Sequence, residues 1–314
     1  MAIETEEPRS ARARAAVAGA RAATESRFGS ESRSDKVGNA VFKSVLFVGL
    51  GAALLGLVGI VAWAFVEGRP LLSTKLITEN PSTVDIANAG YRPAILGSIY
   101  LMLGVVVLIV PLGVGAAVYL EEFADGTRWW NRLIELNIQN LAGVPSIVFG
   151  ILGLGFIARG PLDLDFVVAA GSLTLALLVL PTVILASREA IRSVPPSIRE
   201  GALALGATPW QTVRRQVLPA AFPGILTGVI LAVSRAIGET APLLLVGAAT
   251  FVTFDPDFFS SRYSALPVQI FTYAGRPQDE FRTLAAAGVI LMLGVVLLMN
   301  SVAIFLRSRY EDKI

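Results

Sequence analysis

Five stretches of this 314-residue chain, 44–66, 93–120, 136–158, 166–187 and 283–306, contain no Asp, Glu, Lys or Arg. A helix rises about 1.5 Å per residue, so each stretch is long enough to cross a hydrocarbon core of about 30 Å. A sixth apolar stretch, from about 223 to 246, is disguised by two charges, Arg235 and Glu239. The expectation is an all-α membrane protein with six transmembrane helices, at about 44–66, 94–120, 137–158, 166–187, 223–246 and 283–306. Composition agrees: 54% apolar and 16% charged residues, with a mean hydropathy of +0.67, lie outside the usual range of a soluble domain.

Counting Lys and Arg in alternate segments orients the spans. With both termini inside, eighteen of the 26 cations fall in inner segments and seven in outer ones, and Arg235 alone lies within a span. Both termini and the polar segment 195–219 are therefore expected on the cytoplasmic face of the cell membrane. Segments 67–92 and 253–282 are expected outside, where they are long enough to meet an external partner. Residues 1–40 are rich in Ala, Arg, Ser and Glu and read as a disordered or loosely helical cytoplasmic tail, set apart from a six-span domain at 41–314. The tail is not a signal peptide, because the apolar run after it is too long and no small-residue cleavage site follows. Its arginines hold the N-terminus inside and could also bind anionic lipid heads.

Absences narrow the chemistry. The chain has no Cys and no His, which excludes thiol chemistry, disulfides, His-dependent base catalysis and His/Cys metal sites. A Walker-type phosphate loop needs Gly immediately before its Lys, whereas Lys36, Lys43, Lys75 and Lys313 follow Asp35, Phe42, Thr74 and Asp312. Any ATP that drives this protein must bind to another chain. Nothing in the sequence calls for a nucleic-acid partner; the surrounding partner is membrane lipid.

The polar segment 195–219 interrupts the apolar pattern with two well-marked short helices. Ser197 is followed three residues on by Glu200, and Thr208 by Gln211, so each helix is expected to open with a capping box. Pro209 suits the first position of the second helix, Gly206 the left-handed residue that ends the first, and Pro219 is expected to limit how far the second runs. Ile198, Ala202, Leu203 and Leu205 on one helix, with Trp210, Val213 and Val217 on the other, would offer apolar side chains to a docking partner.

The second informative segment is 234–242, Ser-Arg-Ala-Ile-Gly-Glu-Thr-Ala-Pro, in the middle of the fifth span. An arginine at that depth costs about 2.5 to 3.5 kcal/mol on insertion scales, so an interior cavity or a partner must compensate it. Glu239 stands at i+4 on the same helical face. Arg235 and Glu239 are either a structural ion pair or, with Thr240, part of a pathway in which the planar guanidinium presents its fork to an oxyanion. Gly238 thins the helix there and Pro242 breaks its hydrogen-bond ladder.

These residues carry a resemblance. The spacing of Glu200, Gly201 and Ala202, then Gly206, then Leu218 and Pro219 is similar to the cytoplasmic coupling loop of ATP-binding-cassette importer permeases, with Gly201 in place of the usual alanine and Gln216 in place of an isoleucine. Arg235 with Gly238 and Glu239 resembles oxyanion permeases in general, and the run 238–244, Gly-Glu-Thr-Ala-Pro-Leu-Leu, looks like phosphate-transport permeases of the PstA type. The segments 143–150, 265–270 and 276–281 agree with that likeness.

The resemblance implies a type I importer that forms its pathway with a second, PstC-type permease. A dimer of PstB-type ATPases would dock on the coupling loops, and an external PstS-type binding protein would deliver phosphate. ATP and Mg would belong to the ATPase, with no cofactor and no covalent chemistry in this chain. Two alternatives stand beside it: a sulfate or molybdate permease of the same architecture, and an ion-coupled secondary transporter or channel.

Overall fold

The computed structural model describes residues 33–248 and 251–311. Most of the expected tail lies outside these residues, and its last part, from Arg33, is already helical. By contacts the chain divides into Met1–Ala62 and Trp63–Ile314. In the first unit, helix α1 (Arg33–Gly68) exposes Phe47, Val48 and Leu55 around its circumference. Apolar side chains exposed all round a helix suit a lipid surrounding.

The second unit is built from α2 (Arg92–Val118), α3 (Trp129–Ala142), α4 (Ser146–Leu152), α5 (Val168–Arg192), α6 (Pro196–Ala204), α7 (Pro209–Thr212), α8 (Leu218–Gly238), α9 (Ala241–Leu245), α10 (Leu266–Ala274) and α11 (Asp279–Glu311). No β-strand occurs among the described residues. Five helices are long and apolar enough to cross a membrane, and a sixth span is counted if the bent pair Trp129–Ala142 and Ser146–Ala158 is taken as one.

Two spans differ from expectation. The third is not a straight helix over 137–158: α3 and the segment from α4 to Ala158 meet at 108°. Gly143 and Pro145 stand at the break, where the proline lacks the N–H that would carry the ladder on. The fifth span starts earlier and stops earlier than 223–246. It runs as Pro209–Gly238, breaks at Glu239 and Thr240, and resumes as the short α9.

Helix α5 lies at the centre of the core. Its Leu175, Leu178, Val179 and Val183 pack with Leu101, Val105 and Ile109 of α2 and with Ala232, Val233, Ala236 and Ile237 of α8. Apolar side chains gain little by leaving lipid for protein, so close backbone approach must supply the attraction. Small residues permit it: a Cβ on Gly228 of α8 would stand 2.5 Å from that of Ala186 on α5.

The connecting segments gather at two ends. At one, Tyr91 donates to the Leu284 carbonyl at 3.0 Å, Arg92 pairs with Asp255 at 2.7 Å, and Tyr263 donates to the Val246 carbonyl at 3.1 Å. At the other, the ends of α2 and α5 meet α3 and α6 through charged side chains.

Candidate functional site

At that second end the chain builds a helix, a sharp turn and a helix. Helix α6 ends in a Schellman motif: Gly206 N–H donates to the Leu203 carbonyl at 2.9 Å and Ala207 N–H to that of Ala202 at 3.1 Å, with Gly206 at φ +85°. Gly206 has no neighbouring atom within 4 Å of where a Cβ would be, so conformation and not space selects glycine. Thr208 and Gln211 form the expected capping box, at 3.3 and 2.9 Å, with Pro209 in the first helical turn.

Three expectations for this segment fail. Ser197 and Glu200 make no capping box, because α6 begins at Pro196 with Pro195 in the cap position, which places Ser197 inside the helix. Glu200 is left exposed, with no ion pair or side-chain hydrogen bond among the described residues. Pro219 does not stop the second helix. A wider, π-type turn at Val213–Val217 leads straight into α8, and Pro219 occupies that helix's first turn, where a missing N–H costs little. Val213 and Val217 are not offered to a partner either, since both are buried against Ala117, Ile138 and Ile191. Leu203, Leu205 and Trp210 are exposed, Ala202 is half-buried, and Gly201 has open space around it.

A charged network that the sequence did not announce ties this segment to the spans. Arg199 of α6 donates from Nη2 to Glu122 Oε1 at 2.7 Å, from Nη1 to the Val194 carbonyl at 2.7 Å and from Nη2 to the Ile191 carbonyl at 2.9 Å. One side chain thus satisfies the carbonyl end of α5 while pairing with the end of α2. Arg188 bonds Glu135 at 2.9 Å and Glu121 at 3.3 Å, and Arg192 reaches Glu121 at 2.9 Å. The neighbouring Asp125 accepts from the Thr127 hydroxyl at 2.6 Å and its N–H at 3.0 Å, which holds its carboxyl below the usual carboxylate range. The only sequence signal was the Glu121-Glu122 pair closing an apolar span, with Arg188 and Arg192 four apart at the end of another.

The second candidate cluster lies along α8. Arg235 occupies the last turn of that helix, about 25 Å beyond Leu218, and not the middle of the span. A cation at a helix C-terminus is favoured by the backbone dipoles. Glu239 is no longer helical, with ψ 120°, so it meets Arg235 across the helix end: Nε lies 3.4 Å from Oε1. The Glu239 side chain is 18% exposed and that of Arg235 45% exposed. Leu231, Arg235 and Gly238 share the α8 face that this chain leaves uncovered, while Ala232, Val233, Ala236 and Ile237 face its core. Ser234, beside Arg235, bonds Asn300 of α11 at 2.6 Å, which fixes the rotation of α8. Half-buried Thr240 leads into α9, and Pro242 there packs on Gly150 of α4. The segments that follow the breaks in the third and fifth spans therefore pack against each other.

Residues 109–312 match the family described as binding-protein-dependent transport system inner membrane component. The chain is 36% identical over 264 residues to a Yersinia pestis protein named phosphate transport system permease protein PstA, covering 82% of this chain and 86% of that one. It is 32% identical over 280 residues to a Haemophilus influenzae protein of the same name, covering 88% and 95%. In fold it is similar to an inward-facing MetNI methionine ABC transporter, with 18% identity, a TM-score of 0.55, and 70% and 94% covered. It is also similar to a bacterial alginate ABC transporter bound to its pentasaccharide-loaded periplasmic protein, with 12% identity, a TM-score of 0.56, and 86% and 93% covered. At those identities the structural likeness is one of fold. The chain belongs to the binding-protein-dependent transport inner-membrane family and, within it, to the PstA-type permeases.

Proposed function

We propose that this chain is one of two unlike permeases in an ATP-driven importer of inorganic phosphate, set in the cell membrane with both termini cytoplasmic. The observation that carries the reading is Arg235. It is held at the end of a broken span, on a helix face that its own chain leaves open, by a long contact to Glu239. A guanidinium in that setting needs an anion, water or a second subunit to compensate it. Its planar fork suits two phosphate oxygens, and Glu239 would hold and partly discharge it when the pathway is empty. Thr240 adds a hydroxyl at the same break. A PstC-type permease covering the open face of α8 would close the pathway.

The docking element is the 195–219 segment. Glu200, Gly201 and Ala202, the turn at Gly206 and exposed Leu203 and Leu205 present a face to a PstB-type ATPase dimer, which would carry the ATP and Mg. Leu218 and Pro219 return the chain to the membrane. The Arg199 contacts to Glu122 and to the end of α5 give ATPase motion a rigid route into α2 and α5. A PstS-type binding protein would deliver phosphate at the opposite end.

Replacing Arg235 tests the pathway assignment. Arg235→Lys keeps the charge and loses the fork, so phosphate uptake should fall strongly while the spans insert and the ATPase still docks. The double variant Arg235→Gln with Glu239→Gln removes both charges together, and with them the penalty of leaving one unpaired. It should assemble and fail to transport; normal uptake by a well-assembled double variant would make the pair structural.

A further inference from the structure

An open apolar groove of about 440 Å³ lies between the second half of α2 and the start of α8. Val110, Val114 and Val118 line one wall at four-residue spacing, and Leu218 lines the other. Phe123 and Trp210 close the end nearest the coupling segment, their ring centroids 6.3 Å apart. From Val110 to Phe123 the wall runs about 20 Å, against about 15 Å for the hydrocarbon of one leaflet. The aromatic rings sit where the interfacial belt of a membrane protein is expected. A groove of this length, apolar along its floor and aromatic at its mouth, suits one acyl chain.

The turn between Trp210 and Leu218 also carries two cations. Arg214 and Arg215 are exposed, and among the described residues neither makes an ion pair, whereas the nearby Arg188, Arg192 and Arg199 are each neutralised by carboxylates. Arg214 stands four residues after Trp210 and four before Leu218, both of which line the groove. Helical periodicity therefore places it on the groove side, while Val213 and Val217 turn into the core. A phosphodiester with net negative charge would pair with an exposed cation here more strongly than a neutral headgroup would.

We propose that this groove is a binding site for an anionic phospholipid, with one acyl chain lying along α2 and the phosphodiester held by Arg214, while the adjacent Arg215 adds to the positive field. The site rests on the membrane setting of the chain alone and is independent of which anion is transported. A lipid seated there touches Trp210 and Leu218, which bracket the π-type turn joining the coupling segment to α8.

The purified assembly, equilibrated with vesicles of equal phosphatidylglycerol and phosphatidylcholine and re-isolated in mild detergent, should retain phosphatidylglycerol in preference by about tenfold, read by native mass spectrometry. Arg214→Gln with Arg215→Gln should level that ratio. Gly115 lies on the groove floor, where an added Cβ meets nothing within 4 Å, so Gly115→Leu should fill the groove without disturbing the helices and lower retention of both lipids about tenfold. Equal retention of the two lipids by the unmodified assembly would overturn the proposal, as would variants that retain lipid like the unmodified protein. Loss of the ATPase from the double arginine variant with its phosphatidylglycerol retained would assign these arginines to the protein partner and overturn it too.

Discussion

Replacing Arg199 by methionine removes an ion pair and two helix-end hydrogen bonds at once. The substitution deletes the pair with Glu122, at 2.7 and 3.1 Å, and both donors to the Ile191 and Val194 carbonyls that close α5. A hydrogen bond involving a charged group contributes about 1.5 to 3 kcal/mol, and stranding one member of a buried pair costs about 3 to 5 kcal/mol. Arg199 is 24% and Glu122 11% exposed, so water reaches both and the larger figure must be discounted to a loss of about 2 to 3 kcal/mol. For a chain of this size that is a fall of about 3 to 5 °C in the unfolding midpoint. The assay is thermal denaturation in detergent at one fixed scan rate, because unfolding of such assemblies is irreversible and scan-dependent. Arg199→Lys should recover only part of the loss, since one ammonium cannot reach all the acceptors that the fork spans. Removing Glu122 as well, in Arg199→Met with Glu122→Gln, should cost no more than Arg199→Met alone, because the stranded carboxylate has gone. A midpoint for Arg199→Met within about 1 °C of the unmodified protein would refute the role given to this network.

Gly206→Val should loosen the ATPase at a conformational cost of about 1 to 2 kcal/mol, while Gly206→Asn, which tolerates positive φ, should retain it in co-purification. Since a Cβ at Gly228 would overlap that of Ala186, Gly228→Val should separate α8 from α5 and lower the denaturation midpoint; an unchanged midpoint would argue against that packing. Val84→Cys, at a 95% exposed position, should react with an impermeant thiol reagent from outside the cell, and Ser197→Cys should not. The reverse labelling pattern would overturn the orientation.

The number of spans and the position of the coupling segment were legible because both are local. Hydropathy over some twenty residues marks a helix wherever it lies, and Gly206, Thr208 and Pro209 act on their own turn. The two breaks were harder to read. Gly143, Pro145 and Pro242 were visible, but a proline is compatible with a helix interior, with a break between helices or with a first helical turn, as Pro111, Pro145 and Pro219 respectively illustrate. Ser197 was misread because the pattern of a capping box also occurs one residue inside a helix, where Pro195 and Pro196 had already set the start. The pairings of the Arg199 network were not legible, although its charges were: Glu122 is 77 residues from Arg199, and Glu121 is 67 from Arg188. Such pairs depend on how α2, α5 and α6 pack, which no local pattern encodes. Arg235 stood out as an unexplained charge in an apolar run, and its place at a helix end emerged only when the span broke at Glu239.

The most direct test of the central claim is the uptake of radiolabelled anion into vesicles that contain both permeases and the ATPase, with ATP inside and the external binding protein outside. Labelled phosphate should enter only when ATP is present, excess unlabelled sulfate should leave its rate unchanged, and Arg235→Lys should abolish most of it without releasing the ATPase. Sulfate that competes as well as phosphate does, or phosphate entry that needs no ATP, would contradict the assignment of this chain to an ATP-driven phosphate importer.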